Sequence, residues 1–256
     1  MQPASVRAVV TGGVSGLGLA TARRLIAGGG KVALFDVNDD KADAAVEMLG
    51  NHNARYFKTD VTDEAGVAAN VAAAHDFLGG LNVTVNCAGI LGTGRILGKE
   101  GPMPLSAFQA TVLINLVGSF NVAKATASLM QDNAAEEDGE RGVIIHTASV
   151  AAYEGQIGQA AYSASKGGII GMTLPMAREL ARFGIRVMTI APGIFQTPMI
   201  GSVPAQTQES LAASIPFPPR LGNPEEFAET VTFILQNRYL NGETIRLDGA
   251  TRLTLK

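Results

Sequence analysis

Tyr162 and Lys166 stand four residues apart in Tyr162-Ser163-Ala164-Ser165-Lys166, a segment that reads as helix. Positions i and i+4 of a helix share a face, so the phenol and the ammonium are neighbours. A phenol titrates near ~10 and accepts protons poorly at neutral pH, but a fixed cation beside it favours the phenolate. Such a pair gives and takes a proton beside a carbonyl or an alcohol. A Tyr and a Lys at this spacing are common, so the meaning of the pair depends on what lies upstream.

Upstream is Thr11-Gly12-Gly13-Val14-Ser15-Gly16-Leu17-Gly18, which follows the apolar run Val6 to Val10 and precedes the helix-forming Leu19 to Ala27. This is a strand, a glycine turn and a helix start. Gly12, Gly16 and Gly18 let the backbone turn sharply and approach a pyrophosphate, whose charge meets amide hydrogens and the positive end of the helix. The spacing is G-x-x-x-G-x-G and differs from the more familiar G-x-G-x-x-G. Asp36 closes the next apolar run, Lys31 to Phe35. An acid about ~20 residues beyond the glycines binds a ribose 2′-hydroxyl and repels a 2′-phosphate, which predicts NAD(H) over NADP(H).

Composition narrows the class. The 256 residues fit one α/β domain spanning 1–256, and 46% hydrophobic against 17% charged residues favours a packed chain over disorder. A net charge of −3 offers no basic field for nucleic acid. No apolar run approaches the ~18 residues of a membrane span, so the expected partner is a small molecule, with no nucleic acid and no membrane. Cys87 is the single cysteine and excludes an internal disulfide. With no signal-like region before Val6, the expectation is a cytoplasmic protein. His52, His75 and His146 lack metal-ligand spacing, and no metal is expected.

Positioning these groups calls for a frame, and Val/Ile/Leu-rich runs alternate with helical stretches throughout. Strands are predicted at Val6–Val10, Lys31–Phe35, Ala54–Lys58, Val83–Asn86, Val143–His146, Arg186–Ile190 and Thr244–Leu247. The fold class is therefore α/β, a Rossmann-type doubly wound, parallel, seven-stranded sheet. Ser106-Ala107-Phe108-Gln109 reads as a capping box opening a helix to about Asn133, and Asn223-Pro224-Glu225-Glu226 opens another. Leu91–Leu105, Ala134–Arg141 and Phe195–Arg220 exceed a minimal version of this fold, and the acidic 134–141 segment reads as a solvated turn. Ligands of such sheets lie beyond the C-terminal strand ends. Asp60-Val61, Asn86-Cys87-Ala88-Gly89, Thr147-Ala148-Ser149 and Pro192-Gly193 occupy those places.

Taken together, Thr11-Gly-x-x-x-Gly-x-Gly18, Asn86-Cys-Ala-Gly89, Asn115, Ser149, Tyr162-x-x-x-Lys166 and Pro192-Gly193 resemble the short-chain dehydrogenase/reductase family over essentially the whole chain. Gly155-Gln-Ile-Gly-Gln-Ala-Ala-Tyr162, Gly171-Met-Thr-Leu-Pro175, Ile185 to Gly193, Ile215-Pro-Phe-Pro218, Arg220-Leu-Gly222 and Asn241 to Ala250 are similar to its type-2 3-hydroxyacyl-CoA dehydrogenase branch. The resemblance implies that Tyr162 is the acid/base, that Lys166 lowers its pKa and holds the nicotinamide ribose, and that Ser149 hydrogen-bonds the substrate oxygen. Asn115 would relay protons through water from the Lys166 side, where the alternative is an Asn packed on the backbone of an adjoining strand.

The family further implies cofactor contacts from Ser15 and Leu17, from Asp36 at the adenosine ribose, from Asp60 and Val61 near the adenine, and from Cys87 through its backbone. Pro192, Gly193, Phe195 and Thr197 would flank the nicotinamide. The loop Phe195–Ser214, with Met199, Ile200, Val203 and Leu211, either closes over an acyl chain or packs on a neighbouring subunit. Gln156 and Gln159 precede Tyr162 closely enough to face the substrate, and Arg95, Lys99 and Arg220 are the candidates for the CoA phosphates. The implied activity is NAD-dependent interconversion of 3-hydroxyacyl-CoA and 3-oxoacyl-CoA, within fatty acid metabolism, by a homotetramer. The alternatives are a hydroxysteroid or other secondary-alcohol dehydrogenase, then a 3-oxoacyl-carrier-protein reductase, which Asp36 disfavours, or a non-catalytic NAD-sensing protein.

Overall fold

Strands that read as continuous apolar runs, without polar alternation, belong to a sheet covered on both faces. The computed structural model describes every residue except Glu100, Ser202, Val203 and Lys256. Along the chain come β1 (Arg7–Thr11), α1 (Gly16–Ala27), β2 (Lys31–Asp36), α2 (Ala42–Leu49), β3 (Ala54–Lys58), α3 (Glu64–Leu78) and β4 (Val83–Asn86). A small hairpin, β5 (Leu97–Gly98) and β6 (Gly101–Pro102), precedes α4 (Leu105–Val112), α5 (Gly118–Met130), β7 (Gly142–Thr147) and α6 (Ala160–Leu180). Then follow β8 (Ile185–Pro192), α7 (Pro198–Gly201), α8 (Ala205–Ala213), α9 (Pro224–Gln236) and β9 (Thr244–Leu247).

The main sheet has seven strands in the order β3-β2-β1-β4-β7-β8-β9, and every pairing is parallel. The seven expected strands all form, with the first displaced by one residue to Arg7–Thr11 and β8 running on to Pro192. Successive strand residues serve opposite faces. Val10 and Ile145 join Leu25 of α1 and Phe227 and Val231 of α9, whereas Val9 and Ile144 join Val67 and Val71 of α3 and Val122 and Met130 of α5. The strand order reverses between β1 and β4, which opens a crevice beyond their C-terminal ends.

Three expectations are corrected. Ser106 does not cap the long helix: Pro104 precedes it, the Ala107 amide already bonds the Pro104 carbonyl at 3.0 Å, and Ser106 lies exposed inside the first turn. The acidic segment is only partly solvated, because Glu140 turns inward and receives Arg186 Nε at 2.7 Å with both side chains under a tenth exposed. Finally, α4, the wide turn after it and α5 make a helical stretch, Leu105–Met130, long and apolar enough by length and composition to cross a bilayer. Its buried face, including Val122, Ala123 and Met130, packs on the sheet. The Asn223 capping box forms as expected, with Glu226 reaching back to the Asn223 amide at 2.7 Å.

Candidate active site

The crevice is shaped first by backbone. Gly12 (φ +62°) adopts a left-handed conformation that strains any L side chain. A Cβ there would stand 3.0 Å from the Ala88 nitrogen, and a Cβ on Gly18 would stand 2.2 Å from the Gly12 carbonyl oxygen. Hydrogen alone lets β1, the turn and α1 close together. Ser15 precedes α1 without a side-chain cap bond, which leaves first-turn amides open toward the crevice. Thr11 Oγ1 accepts the amides of Cys87 and Ala88, each at 3.0 Å, and so ties the end of β1 to the chain leaving β4.

Asp36 closes β2, and its carboxylate accepts the Asn38 amide at 3.1 Å and the Val14 amide at 3.4 Å. Those bonds hold it against the glycine turn. Asp60 Oδ1 accepts the Thr62 amide at 2.9 Å, and the Val61 carbonyl accepts Asn121 Nδ2 at 3.0 Å. A cavity of about 710 Å³ gathers Gly12, Ser15, Gly16, Leu17 and Gly18 with Asp36, Asp60 and Val61. Cys87, Ala88 and Gly89 border it from β4, and Pro192, Gly193, Phe195 and Thr197 from β8. Burial pushes the Cys87 thiol up to about 11, so it stays protonated and unreactive near neutrality. Asn86 departs from expectation. It does not line the cavity, and its Nδ2 instead bonds the Ser119 carbonyl and approaches His146 Nδ1, both at 3.2 Å.

These residues fit a dinucleotide. The cradle that a Cβ at Gly12 or Gly18 would fill accepts a pyrophosphate, the open amides of α1 meet its charge, and Asp36 stands where a ribose diol would be bound.

Tyr162 and Lys166 both line the same cavity from α6, as their spacing requires. Lys166, only 5% exposed, donates from Nζ to the Thr147 carbonyl at 2.7 Å and lies 5.8 Å from the Tyr162 ring centroid. Burial draws its pKa down to about 8, against a smaller opposing pull from Cys87. The phenol's own surroundings act on it in two opposite directions. Burial raises the Tyr162 phenol above its ordinary value, and the opposing pull comes from a hydrogen bond with the Ser149 hydroxyl. Ser149 leaves β7 in extended conformation and accepts the Ala151 amide at 3.1 Å, which fixes the hydroxyl facing the phenol.

Asn115 is fully buried within a single wide turn, Leu113–Val117, inserted between α4 and α5. Its Oδ1 accepts the Ile90 amide at 2.8 Å, and its Nδ2 donates to the Ile90 carbonyl at 2.9 Å and to Ser165 Oγ at 3.0 Å. Both amide hydrogens are spent on protein, and the side chain does not line the cavity. The backbone that Asn115 meets is not that of an adjoining strand, since Ile90 lies beyond the end of β4.

On the substrate side, Gln156 and Gln159 line the cavity, yet each is partly committed. Gln156 Nε2 donates to the Thr254 carbonyl at 3.3 Å, and Gln159 Oε1 accepts the Gln156 amide at 2.9 Å. The 195–214 loop forms α7 and α8 and sends Met199, Ile200 and Leu211 to the cavity, while Val203 lies outside the described residues. Arg220, half exposed, is held by Glu226 through two bonds of 2.7 and 2.9 Å. Arg95 and Lys99 are exposed and carry no ion pair among the described residues. Sequence reading missed Leu91, Leu113 and Leu253 as lining residues. The first follows a strand end and was findable by that rule. Leu253 carried no local signal at all.

A family model described as short chain dehydrogenase matches residues 7–208. The 3-hydroxyacyl-CoA dehydrogenase type-2 of Homo sapiens is 52% identical over 248 residues, covering 96% of this chain and 95% of that protein. The protein of the same name from Drosophila melanogaster is 49% identical over 247 residues, covering 96% of each, and ipsdienol dehydrogenase of Ips pini is 34% identical over 247 residues, covering 95% and 96%. The crystal structure of 3-hydroxyacyl-CoA dehydrogenase type-2 from Mycobacterium avium matches with a TM-score of 0.91 at 44% identity, over 98% of this chain and 97% of that one. With the glycine turn, Ser149, Tyr162 and Lys166 gathered on one cavity within the matched span, the chain belongs to the short-chain dehydrogenase family.

Proposed function

We propose that this oxidoreductase uses NAD(H) to interconvert 3-hydroxyacyl-CoA and 3-oxoacyl-CoA. The observation that carries the reading is the meeting of Ser149, Tyr162 and Lys166 with a dinucleotide cradle in one cavity that also holds Met199, Ile200 and Leu211. The relatives named for this activity supply the substrate class. Bound NAD(H) supplies or accepts the hydride at its nicotinamide ring. Gly12, Ser15, Gly16, Leu17 and Gly18 hold the pyrophosphate, Asp36 the adenosine ribose, and Asp60 and Val61 border the adenine. Cys87, Ala88, Gly89, Pro192, Gly193, Phe195 and Thr197 flank the rest.

In reduction, Tyr162 donates its proton to the carbonyl oxygen while Ser149 hydrogen-bonds that oxygen as charge develops on it. A phenol held protonated by burial is the form this direction needs. Lys166, anchored on the Thr147 carbonyl and 5.8 Å from the Tyr162 ring centroid, would hold the nicotinamide ribose. Asn115 positions Ile90 and Ser165 around this pair. Arg95 and Lys99 are left to meet the CoA phosphates. A homotetramer accords with the half-exposed apolar stripe Leu113, Val117 and Phe120 along the wide turn between α4 and α5 and the start of α5.

The test is NADH oxidation with acetoacetyl-CoA, repeated with NADPH. Oxidation of NADH with a large preference over NADPH is expected, and Asp36→Ala should shrink that preference about tenfold or more by removing the charge that opposes a 2′-phosphate. Activity confined to secondary alcohols or steroids would replace the thioester assignment, and equal use of both cofactors would remove the role given to Asp36.

A further inference from the structure

The segment Thr251–Leu255 leaves β9 and doubles back onto the cavity. Gly249 (φ +58°) and Ala250 (φ +65°) make the turn, closed by the Thr251 amide on the Asp248 carbonyl at 3.0 Å. A non-glycine residue at positive φ is strained, and such a conformation persists only where its surroundings enforce it. The enforcing contacts are charged. Arg246 grips Glu154 through two bonds of 2.8 and 3.0 Å, reaches Asp248 at 2.8 Å and bonds the Thr251 carbonyl at 3.3 Å. Arg252 adds Asp248 at 3.1 Å and Glu154 at 3.5 Å. Glu154 lies between Ser149 and Tyr162, so this network joins the extension of β9 to the loop that carries the reacting groups.

Two bonds carry the junction further. Gln156 Nε2 donates to the Thr254 carbonyl at 3.3 Å, and the Ile157 amide donates to the Leu255 carbonyl at 3.1 Å. Leu253, immediately before these anchors, lines the cavity with Gln156 and Gln159.

We propose that Thr251–Leu255 is the size-setting wall of the substrate pocket, with Leu253 limiting the acyl group and Gln156, Glu154 and Arg246 as positioning residues that hold the wall in place. The inference rests on the oxidoreductase reading above and adds a determinant of selectivity to it. It also reassigns Gln156 from the substrate to the wall.

The experiment compares kcat/KM for 3-oxoacyl-CoA of eight and of four carbons, with NADH, in the wild type, Leu253→Ala, Leu253→Trp and Gln156→Ala. The long-to-short ratio should rise about tenfold in Leu253→Ala, fall in Leu253→Trp and follow Leu253→Ala in Gln156→Ala. The KM for NADH should stay within about twofold, which a general loss of structure would not allow. Ratios unchanged from wild type in all three variants overturn the proposal. If the wild type turns over no thioester, the activity reading fails by itself, and the same ratio is taken with 2-alkanols of eight and four carbons and NAD⁺. If those too are inert, amide hydrogen exchange at Ile157 decides: about tenfold faster exchange in Gln156→Ala upholds the wall, and unchanged exchange overturns it.

Discussion

Each member of the Tyr162, Lys166 and Ser149 set is tuned by a different cause. Tyr162 is kept protonated by burial and eased by Ser149, whereas Lys166 is weakened as a cation by its own desolvation. Tyr162→Phe removes the transferable proton and should lower turnover about 10³-fold, with NADH affinity by fluorescence titration nearly unchanged. Lys166→Ala should lose both turnover and NADH affinity, and retention of either would separate the ammonium from that role. The pH dependence has a definite sign. Lys166 is cationic below about 8 and neutral above it, so kcat/KM for NADH should fall as pH rises through that value. Lys166→Arg, which keeps its proton far above this range, should abolish that fall in a pH profile.

At the scale of elements, the wide turn Leu113–Val117 matters most, because it interrupts a helix that would otherwise run straight from Leu105 to Met130. Wide single turns inside helices commonly sit at functional sites. This one carries Asn115 to the Ile90 backbone, and Ser119 Oγ in turn donates to the Asn115 carbonyl at 2.7 Å. Asn115→Leu would strand the Ile90 amide without its acceptor and should cost about 1–3 kcal/mol in a urea melt. It should also lower turnover, since Ser165, which Asn115 holds, bonds the Tyr162 carbonyl at 2.7 Å. Thr11 works in a similar way at the end of β1, where one hydroxyl collects two amides. The helix and Asn115 were legible from sequence. The inserted turn was not, because the preference for one wide turn comes from packing and from the bond to Ile90, and α4 and α5 read alike as helix formers.

Across the whole molecule, burial of polar groups in the sheet links stability to pH. His146 is fully buried in β7, and burial, reinforced by Lys166, lowers its pKa from 6.5 to about 3. The unfolded chain binds this proton below about 6.5 and the folded chain does not until about 3. Stability should therefore fall as pH drops between those values, by about 1.4 kcal/mol per unit from this group. Urea melts of wild type and His146→Gln across that window should diverge by such a slope, and parallel curves would deny His146 the effect. The same covered sheet explains why Glu140 escaped the reading of its neighbourhood. An acidic run looks solvated until β8 brings Arg186 beside it, 46 residues further on.

By itself the sequence determined the seven strands, the glycine turn, the acid at the end of β2 and the Tyr-Lys face of α6. Each is set by local periodicity, by backbone freedom or by spacing along one element, so neighbours in sequence suffice to specify it. Only the tertiary structure decided which way Asn86 and Asn115 point, what Arg220 and Glu140 pair with, and that Thr251–Leu255 returns to the cavity. Those outcomes depend on groups brought together from distant parts of the chain. Whether a buried amide or a charge is satisfied by one neighbour or another is settled by close packing, which no local pattern encodes.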